Sequence, residues 1–454
     1  TRPRRWLLLT PSLCTVLIFL QELEVERVNA KFYKSLLKAS EIGFIFFFLI
    51  FAEAVNVPSA IKASIQLANY LFVFILVIVW RKKVAYVMTR DVSLTLLVLI
   101  ALFSVFWSVD ISRSLRLHIA LIRVTLFGVY LATRYSVRDQ VRIISWVAGL
   151  SVAINLLVCV AFPSYGIGDN PNNPDPYASY SVAWMGIYTF KQFLGRMMAL
   201  AASVFLVHLV NKKSHRWLAL VGFVLSVAIL QFSDSRTYLV AIVVSAFLLP
   251  IYKIAKQRAT ARKILFFLVL VISIGAGYLV LANLQTIATN LLGKDAEFNG
   301  RLPIWTLAIE KVMERPWLGY GYGAFWGSDI GASIANQTWI RNSDVDLHTV
   351  HAHNAFLEIS LQLGLIGLTL LIVNITQVIT RVFQLLNLFK TIEFLWMLEF
   401  LAIQLVASMS EQPTYLSPFN VYWIFYVMIA CSTARELSRL KQKQQIHLSQ
   451  IESS

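Results

Sequence analysis

Charged residues are scarce in this chain of 454 residues. They make up 14% of it, whereas 58% of the residues are hydrophobic and the mean hydropathy is +0.67. Soluble domains carry roughly 25% charged residues, so the composition excludes an ordinary soluble fold and indicates an integral membrane protein. The apolar runs also lack the alternation typical of barrel strands. Because lipid offers backbone groups no other hydrogen-bond partners, these runs are expected to be helices.

Cysteine is almost absent, and acidic residues are outnumbered by basic ones. The three cysteines, Cys14, Cys159 and Cys431, all lie in apolar segments, which predicts buried small residues and gives no sign of disulfides or metal ligands. The formal net charge is +16. Most Lys and Arg form short clusters between apolar runs. The excess of positive charge is therefore explained by membrane topology and does not indicate a nucleic-acid partner. Internal repeats and heptads are also lacking.

The apolar runs predict an all-α polytopic protein with about twelve transmembrane helices. The predicted spans are 42–57, 64–80, 92–109, 116–132, 143–163, 192–210, 217–232, 237–252, 264–284, 356–373, 394–411 and 420–433. Basic clusters such as "RKK" at 81 and "RVFQLLNLFK" at 381 fall in alternate connections, which the positive-inside rule places in the cytoplasm. The large loop 285–355, between spans nine and ten, is therefore expected on the external face.

These spans predict a single transmembrane domain over residues 42–433, followed by a cytoplasmic tail at 434–454. The first 41 residues are left unassigned. They begin with "TRPRR" and a short apolar stretch, a pattern that fits a signal-like or interfacial segment, and whether residues 6–20 cross the membrane stays open.

Three basic residues are expected at the external face. Arg236 stands in "SDSRT", between two spans joined by almost no loop, Arg301 starts an amphipathic segment, and Lys191 precedes a span. The planar guanidinium fork donates paired hydrogen bonds to phosphate oxygens, so these residues are candidates for binding a pyrophosphate. The alternative is that each residue is an interfacial cation whose side chain extends to water. Of the three, only Lys191 is better explained by this alternative.

Histidines cluster at the edge of the next apolar run, in "HTVHAHNAF" (348–356). Histidine suits general-base catalysis because its pKa lies near neutrality, and His351 and His353 are the candidates. A histidine that caps a helix or meets water is the alternative. The spacing is not the i, i+4 arrangement of helical zinc ligands, and "DVD" (344–346) reads as a solvated loop, so no metal site is predicted.

The large loop is expected to carry structure of its own. In its second half, Ile304, Leu307, Ala308 and Val312 fall on one helical face, and Pro316 should end that helix. The aromatic residues nearby could stack on sugars, but an interfacial aromatic belt is the expected role for most of them. They are Trp305, Trp317, Tyr320, Tyr322, Phe325, Trp326 and Trp339. The glycine-rich "GYGYG" at 319–323 predicts a tight turn.

The segment "HNAFLEISLQLGLIG" matches a known pattern: His-Asn, nine residues, then Gly-x-x-Gly. The matching residues are His353, Asn354, Gly364 and Gly367. With these motifs the chain resembles the O-antigen ligase and O-antigen polymerase superfamily. Other segments resemble its exopolysaccharide polymerase branch: "SVFWSVDISRSLRLHIALI" (104–122), "GIYTFKQFLGR" (186–196), "FSDSRTYLVA" (232–241) and "GRLPIWTLAIEKVMERPWLGYGYGAFWG" (300–327).

The resemblance implies a GT-C-like, inverting glycosyltransferase of the bacterial inner membrane that works without a metal or cofactor at the periplasmic face. It implies an undecaprenyl pyrophosphate-linked glycan as donor and a glycan acceptor, either a lipid-linked repeat unit or lipid A core, with membrane lipids around it. His353 then matches the catalytic histidine, and Arg236 and Arg301 match the pyrophosphate-binding arginines. Lys191 would be a third pyrophosphate-binding residue, and His351 and Asn354 would have supporting roles. Gln192 departs from the Asn that is frequent in relatives.

Two other functions stay open at this point. The first is an O-antigen ligase, which would differ only in its acceptor. The second is a polysaccharide flippase or another transporter, since about twelve spans also suit a transporter. Transporters usually show two similar halves with binding groups at the bilayer midplane. Here the halves are dissimilar and the polar candidates gather at one surface, which favours an enzyme.

Overall fold

The computed structural model describes residues 39–51, 55–168, 183–211, 215–250, 301–338, 340, 347, 350–411 and 414–452. Most of these residues are helical. They form two units: one contains the single helix α1 (Ala39–Ile50), and the other contains the described residues from Val55 onward. Residues 1–38 and the predicted span 264–284 lie outside the described residues.

In its described residues, the second unit is built of helices and one short two-stranded antiparallel sheet. Its helices are α2 (Ser59–Met88), α3 (Val92–Phe103), α4 (Ile111–Arg134), α5 (Val137–Ala161), α6 (Pro163–Gly166), α7 (Lys191–Val210), α8 (Arg216–Phe232), α9 (Arg236–Ala246), α10 (Arg301–Glu314), α11 (Asp329–Asn336), α12 (Ala355–Phe389), α13 (Ile392–Ser408) and α14 (Val421–Glu452). A 3₁₀ turn, Ser104–Trp107, extends α3. Strand β1 (Ile167–Gly168) pairs antiparallel with β2 (Ala183–Trp184).

Five of the described helices are long and apolar enough to cross a membrane. They are Ala60–Met88 within α2, then α4, α5, α7 and α12. Four shorter apolar helices, Ala39–Ile50, Val92–Trp107, Arg216–Phe232 and Arg236–Ala246, overlap other predicted spans. The predicted helical, polytopic fold class is therefore confirmed in kind, while the number of twelve spans and the position of the large loop stay predictions.

Several helices continue past the predicted apolar spans. Helix α2 contains the "RKK" cluster at 81–83, α12 runs on to Phe389, and α14 continues to Glu452. Lys and Arg are good helix formers, and their long side chains reach water from a helix that leaves the apolar layer. These basic clusters accordingly lie on helix ends, not in loops as the sequence predicts.

The first half of α14 forms the centre of the second unit. Every residue from Val421 to Cys431 is buried. Helix α4 crosses α14 closely at Gly128, where an added Cβ would lie 2.7 Å from the Ile424 carbonyl oxygen. Cys431 and Cys159 are buried, as predicted, and Cys14 lies outside the described residues.

Helices α3 and α12 run in opposite directions, which gives the second unit two distinct ends. At one end the Trp107 indole, just after α3, donates to the Leu318 carbonyl at 2.8 Å, and the Leu318 backbone packs against Gly364 in the first third of α12. At the other end Asp91, just before α3, pairs with Arg381 of α12 at 2.5 Å. We call the latter the basic end, because Arg435 of α14 also lies there, with its guanidinium on the carbonyl groups that close α4.

Candidate functional site

The three predicted cations occupy equivalent places in the fold. Lys191, Arg236 and Arg301 are the first residues of α7, α9 and α10, and His353 lies two residues before α12. A helix N-terminus presents unpaired N–H groups and about half a positive charge, which favours anions. At each of these positions the helix backbone therefore adds positive electrostatic potential around the predicted functional side chain. These four residues define the site end of the second unit.

Lys191 and Arg236 share one carboxylate. The Lys191 ammonium lies 3.0 Å from one oxygen of Asp234, and the Arg236 Nε lies 3.4 Å from the other. The side chain of Lys191 is only 16% exposed, whereas that of Arg236 is 48% exposed. Asp234 has a left-handed backbone, with φ of 49°. Asp234 is a candidate functional residue that the sequence motifs do not single out, although an acid two positions before a candidate arginine in "SDSRT" is an available signal.

Arg301 reaches the same region through Ser410. Its guanidinium donates to the Ser410 carbonyl oxygen, and the Ser410 hydroxyl lies 3.0 Å from the hydroxyl of Thr237, the residue after Arg236. Ser410, which follows α13, thus contacts both the start of α10 and the start of α9. Ser410 could not be predicted from the sequence, because nothing in the apolar helix before it indicates a site.

Helix α10 links Arg301 to the histidine loop, which we define as His351, Ala352 and His353. Trp305, one turn after Arg301, donates from its indole to the Ala352 carbonyl at 2.7 Å. The structure therefore connects the two arginines and His353 through a short chain of shared neighbours: Thr237 and Ser410 on one side, Trp305 and Ala352 on the other.

The two histidines of this loop lie side by side. Their ring centroids are 4.1 Å apart, with 34° between the ring planes. His353 has φ of 49°, a left-handed conformation that few non-glycine residues adopt. Backbone conformations of this kind persist only where the surroundings hold them, and they concentrate at functional sites. The next residue, Asn354, accepts hydrogen bonds from the amides of Phe356 and Leu357 at 3.0 and 3.1 Å, so its side chain caps α12.

Helix α12 is interrupted at Gly364, where φ is 65° and ψ is −167°. The interruption leaves the carbonyl groups of Leu361 and Gln362 available, and they accept hydrogen bonds from the amides of Tyr320 and Gly321 at 2.8 and 2.9 Å. The "GYGYG" segment thus docks into the broken helix. The sequence predicts only a tight turn here, because this pairing joins residues far apart in the chain.

Glycine is required on both sides of this contact. An added Cβ on Gly364 would lie 2.3 Å from the carbonyl carbon and oxygen of Trp317, and one on Gly319 would lie 2.5 Å from the Leu361 carbonyl oxygen. Both residues also have φ of 65°. The first glycine of the Gly-x-x-Gly pattern therefore lets two backbones approach closely.

The amphipathic face predicted for 301–314 is confirmed, and it packs on aromatic residues of the same segment. Ile304, Ala308 and Val312 are buried, and Leu307 is half-buried against them. Tyr320, Tyr322, Phe325 and Trp326 are also buried, so the expectation of an interfacial belt is wrong for these four. Tyr320, Phe325 and Trp326 belong to the local core of the segment, whereas Tyr322 stacks on His118 of α4. Trp317 is 67% exposed, and Trp339 and residues 344–346 lie outside the described residues.

Tyr320 ties the end of α10 to the "GYGYG" segment. Its hydroxyl donates to the Lys311 carbonyl at 2.9 Å and to the Glu314 carboxylate at 3.2 Å. Burial, followed by the negative charge of Glu314, raises the pKa of Tyr320 to about 12. The tyrosine therefore stays protonated at any neutral or mildly alkaline pH, and its single O–H hydrogen is shared between these two acceptors.

These features define a polytopic helical membrane protein with cations at three helix N-termini and two adjacent histidines near them. Comparison with known proteins identifies its relatives. The model of the O-antigen ligase family matches residues 221–372, a stretch that includes Arg236, Arg301, His353 and Gly364. The predicted resemblance to the O-antigen ligase superfamily is thereby confirmed.

Two curated relatives agree with this family. The exopolysaccharide production protein ExoQ of Rhizobium meliloti is 27% identical over 277 residues, which cover 60% of each chain. A Rickettsia conorii protein provisionally named a polysaccharide ligase is 23% identical over 251 residues, 51% of this chain and 55% of that protein. The first supports the predicted similarity to the exopolysaccharide branch. In both cases the matching part spans less than two thirds of the relative.

Proposed function

We propose that this chain is an inverting membrane glycosyltransferase. It would transfer a glycan from undecaprenyl pyrophosphate to an acceptor sugar hydroxyl, polymerising exopolysaccharide or O-antigen repeat units. The observation that carries the proposal is the gathering of Lys191, Arg236 and Arg301 at three helix N-termini, linked to His353 through Trp305 and Ala352. The similarity to the O-antigen ligase family over this stretch supports it.

In this proposal the cations bind the diphosphate of the donor. A diphosphate carries two or more negative charges, and Arg236 and Arg301 can each offer a planar fork to its oxygens. Lys191 adds a third charge, and the helix N-termini add backbone N–H groups. The residues present therefore suit charge stabilisation by side chains, the role that a divalent cation performs in many other phosphate-binding enzymes.

His353 would act as the general base. Its imidazole takes the proton from the acceptor hydroxyl while that oxygen attacks the anomeric carbon from the face opposite the leaving group. The bond from the anomeric carbon to the pyrophosphate oxygen breaks, its electron pair stays on that oxygen, and the configuration inverts. General-base assistance is typically worth about 10²- to 10⁴-fold in rate. The arginines stabilise the negative charge that develops on the leaving group.

The site end would face the periplasm of a bacterial inner membrane. Support comes from the opposite end, where Arg381 and Arg435 lie and where α2 carries "RKK". By the positive-inside rule, helix ends rich in Lys and Arg face the cytoplasm.

A ligase that joins O-antigen to lipid A core is the second candidate, favoured by the family description and by the name of the Rickettsia relative. Purified protein would be incubated with a lipid pyrophosphate-linked repeat unit, with and without lipid A core, in EDTA. A product ladder without core supports the polymerase, and transfer only with core supports the ligase. Absence of product in both arms, together with movement of the lipid-linked unit across a vesicle membrane, would support a transporter instead.

His353→Ala provides the internal control for the chemistry. It should abolish most turnover while donor binding survives, because the proposed diphosphate contacts lie on α7, α9 and α10. Turnover by this variant at near the parent rate would show that His353 is not the base.

A further inference from the structure

A buried carboxylate lies next to the histidine loop and has no part in the proposed chemistry. Glu358, in the first turn of α12, is 3% exposed. Three N–H groups point at its oxygens: the Trp326 indole at 3.0 and 3.2 Å, the Ala352 amide at 2.9 Å, and the Gln362 side-chain amide at 2.7 Å. A carboxyl group that leaves water for the protein interior is costly unless it is fully hydrogen-bonded, and here both oxygens are.

The geometry selects a carboxylate at this position. The side-chain oxygen of Gln362 accepts from the Gly323 amide at 3.1 Å, which fixes the side-chain NH₂ of Gln362 toward Glu358. Each described partner of Glu358 is therefore a donor. A glutamine in its place would turn its own NH₂ group toward one of these donors and lose at least one of the bonds. This requirement depends on charge and hydrogen bonding, since glutamate and glutamine have nearly the same shape.

The contacts of Glu358 bear directly on the residue between the two histidines. The Ala352 amide donates to Glu358, and the Ala352 carbonyl accepts from Trp305 at 2.7 Å. Both backbone groups of Ala352 are thus held by side chains, immediately before the left-handed backbone of His353. Through Gln362, the same network reaches the "GYGYG" segment docked in α12.

We propose that Glu358 is a positioning residue that acts through Ala352 to hold the His353 imidazole at the acceptor hydroxyl. This inference rests on the proposed function, in which His353 is the general base. Misplacement of a catalytic group by about 1 Å can cost about 10²-fold in rate. Loss of the Glu358 carboxylate should therefore slow the chemical step and leave donor binding nearly unchanged, because the diphosphate-binding residues lie on other helices.

The test compares Glu358→Gln with the parent protein in steady-state turnover of the lipid-linked donor. We expect kcat to fall by about 10- to 100-fold and the KM for donor to change by less than about threefold. Hydrogen–deuterium exchange of the peptide containing Ala352 should become faster, because its amide loses an acceptor. This exchange reports on the loop without requiring activity.

A second variant keeps the inference testable if Glu358→Gln fails to fold. Gln362→Met removes the bonds to Glu358 and to Gly323 while retaining a side chain of similar length, and it should lower kcat in the same direction. Gln140→Met is the matched control. Gln140 is another buried glutamine, near the basic end and bonded to Ser432 at 2.9 Å, so its loss should affect stability but not kcat.

The outcomes separate this inference from the proposed function. Near-parent turnover by His353→Ala would contradict the assignment of the base. If His353→Ala is inactive while Glu358→Gln or Gln362→Met turns over at the parent rate with unchanged exchange at Ala352, only the positioning role is wrong. A rise in KM with unchanged kcat would also overturn it.

Discussion

Asp234 should compete with the donor for the two cations it contacts. Its carboxylate lies 3.0 Å from the Lys191 ammonium and 3.4 Å from the Arg236 Nε. If these cations bind a diphosphate, the carboxylate must give up part of this pairing, and its negative charge repels the ligand. Asp234→Asn keeps the shape and removes the charge. We therefore expect this variant to bind pyrophosphate more tightly than the parent protein.

The size of the effect follows from Coulomb's law. A unit charge on the Asp234 carboxylate and one on a diphosphate about 5 Å away would repel each other by about 1 kcal/mol in a water-like medium and by more in a less polar one. The side chain of Asp234 is 37% exposed, so solvent screening keeps the effect near the lower figure. A gain of about 1 kcal/mol corresponds to roughly fivefold tighter binding.

Inhibition of turnover by inorganic pyrophosphate, measured at low and high salt, would test this expectation. The inhibition constant should fall by roughly fivefold in Asp234→Asn, and the difference should shrink as salt screens the charges. Asp329→Asn removes the same charge from an exposed position at the start of α11 and serves as the control. Weaker inhibition in Asp234→Asn would mean that Asp234 positions the cations and would refute the competition.

Three further predictions concern the structure around the site. Gly364→Ala should destabilise the protein by more than about 3 kcal/mol, because its Cβ would meet the Trp317 backbone. Gly149→Ala is the control: its nearest contact is at 3.8 Å, so it should be neutral or stabilising by up to about 1 kcal/mol. Equal thermal unfolding of the two variants in detergent would contradict the docked helix break. Asn354→Ala should cost about 1 kcal/mol through loss of the α12 cap, and Asn354→Asp should restore it, so failure of Asp to restore the melting temperature would argue against capping. The folded-state pKa of Tyr320, about 12, lies above the ordinary tyrosine value of 10. The stabilising contribution of Tyr320 is therefore complete below pH 10 and is lost as pH rises toward 12. Tyr320→Phe should lose less stability over that interval than the parent protein, and an unchanged pH dependence would refute the shift in pKa.

The parts of the fold that depend on local pattern could be predicted from the sequence. The 3.6-residue spacing of Ile304, Ala308 and Val312 requires no knowledge of the rest of the chain, and the structure confirms that face. The expectation that Arg236, Arg301 and His353 lie at the same surface came from counting alternate spans. The structure links these three residues through shared neighbours, but their proposed roles are still predictions.

The parts that depend on long-range contacts could not be predicted. The "GYGYG" segment pairs with α12 about forty residues later in the chain, through backbone groups that carry no side-chain signal. Tyr322 and Trp326 are buried for the same reason, whereas their spacing alone resembles an interfacial belt. Glu358 looked like one residue of an apolar helix, because the Trp326 indole lies 32 residues earlier in the chain and the Ala352 amide reaches the carboxylate only through the fold of the histidine loop.

A cryo-electron microscopy structure of the protein with a hydrolysis-resistant phosphonate analogue of the lipid-linked donor would show where the diphosphate binds. We expect the diphosphate mimic to lie within hydrogen-bonding distance of both Arg236 and Arg301, with the anomeric carbon toward His353. An analogue bound elsewhere, such as beside Arg381 at the basic end, with the site end unoccupied, would contradict it.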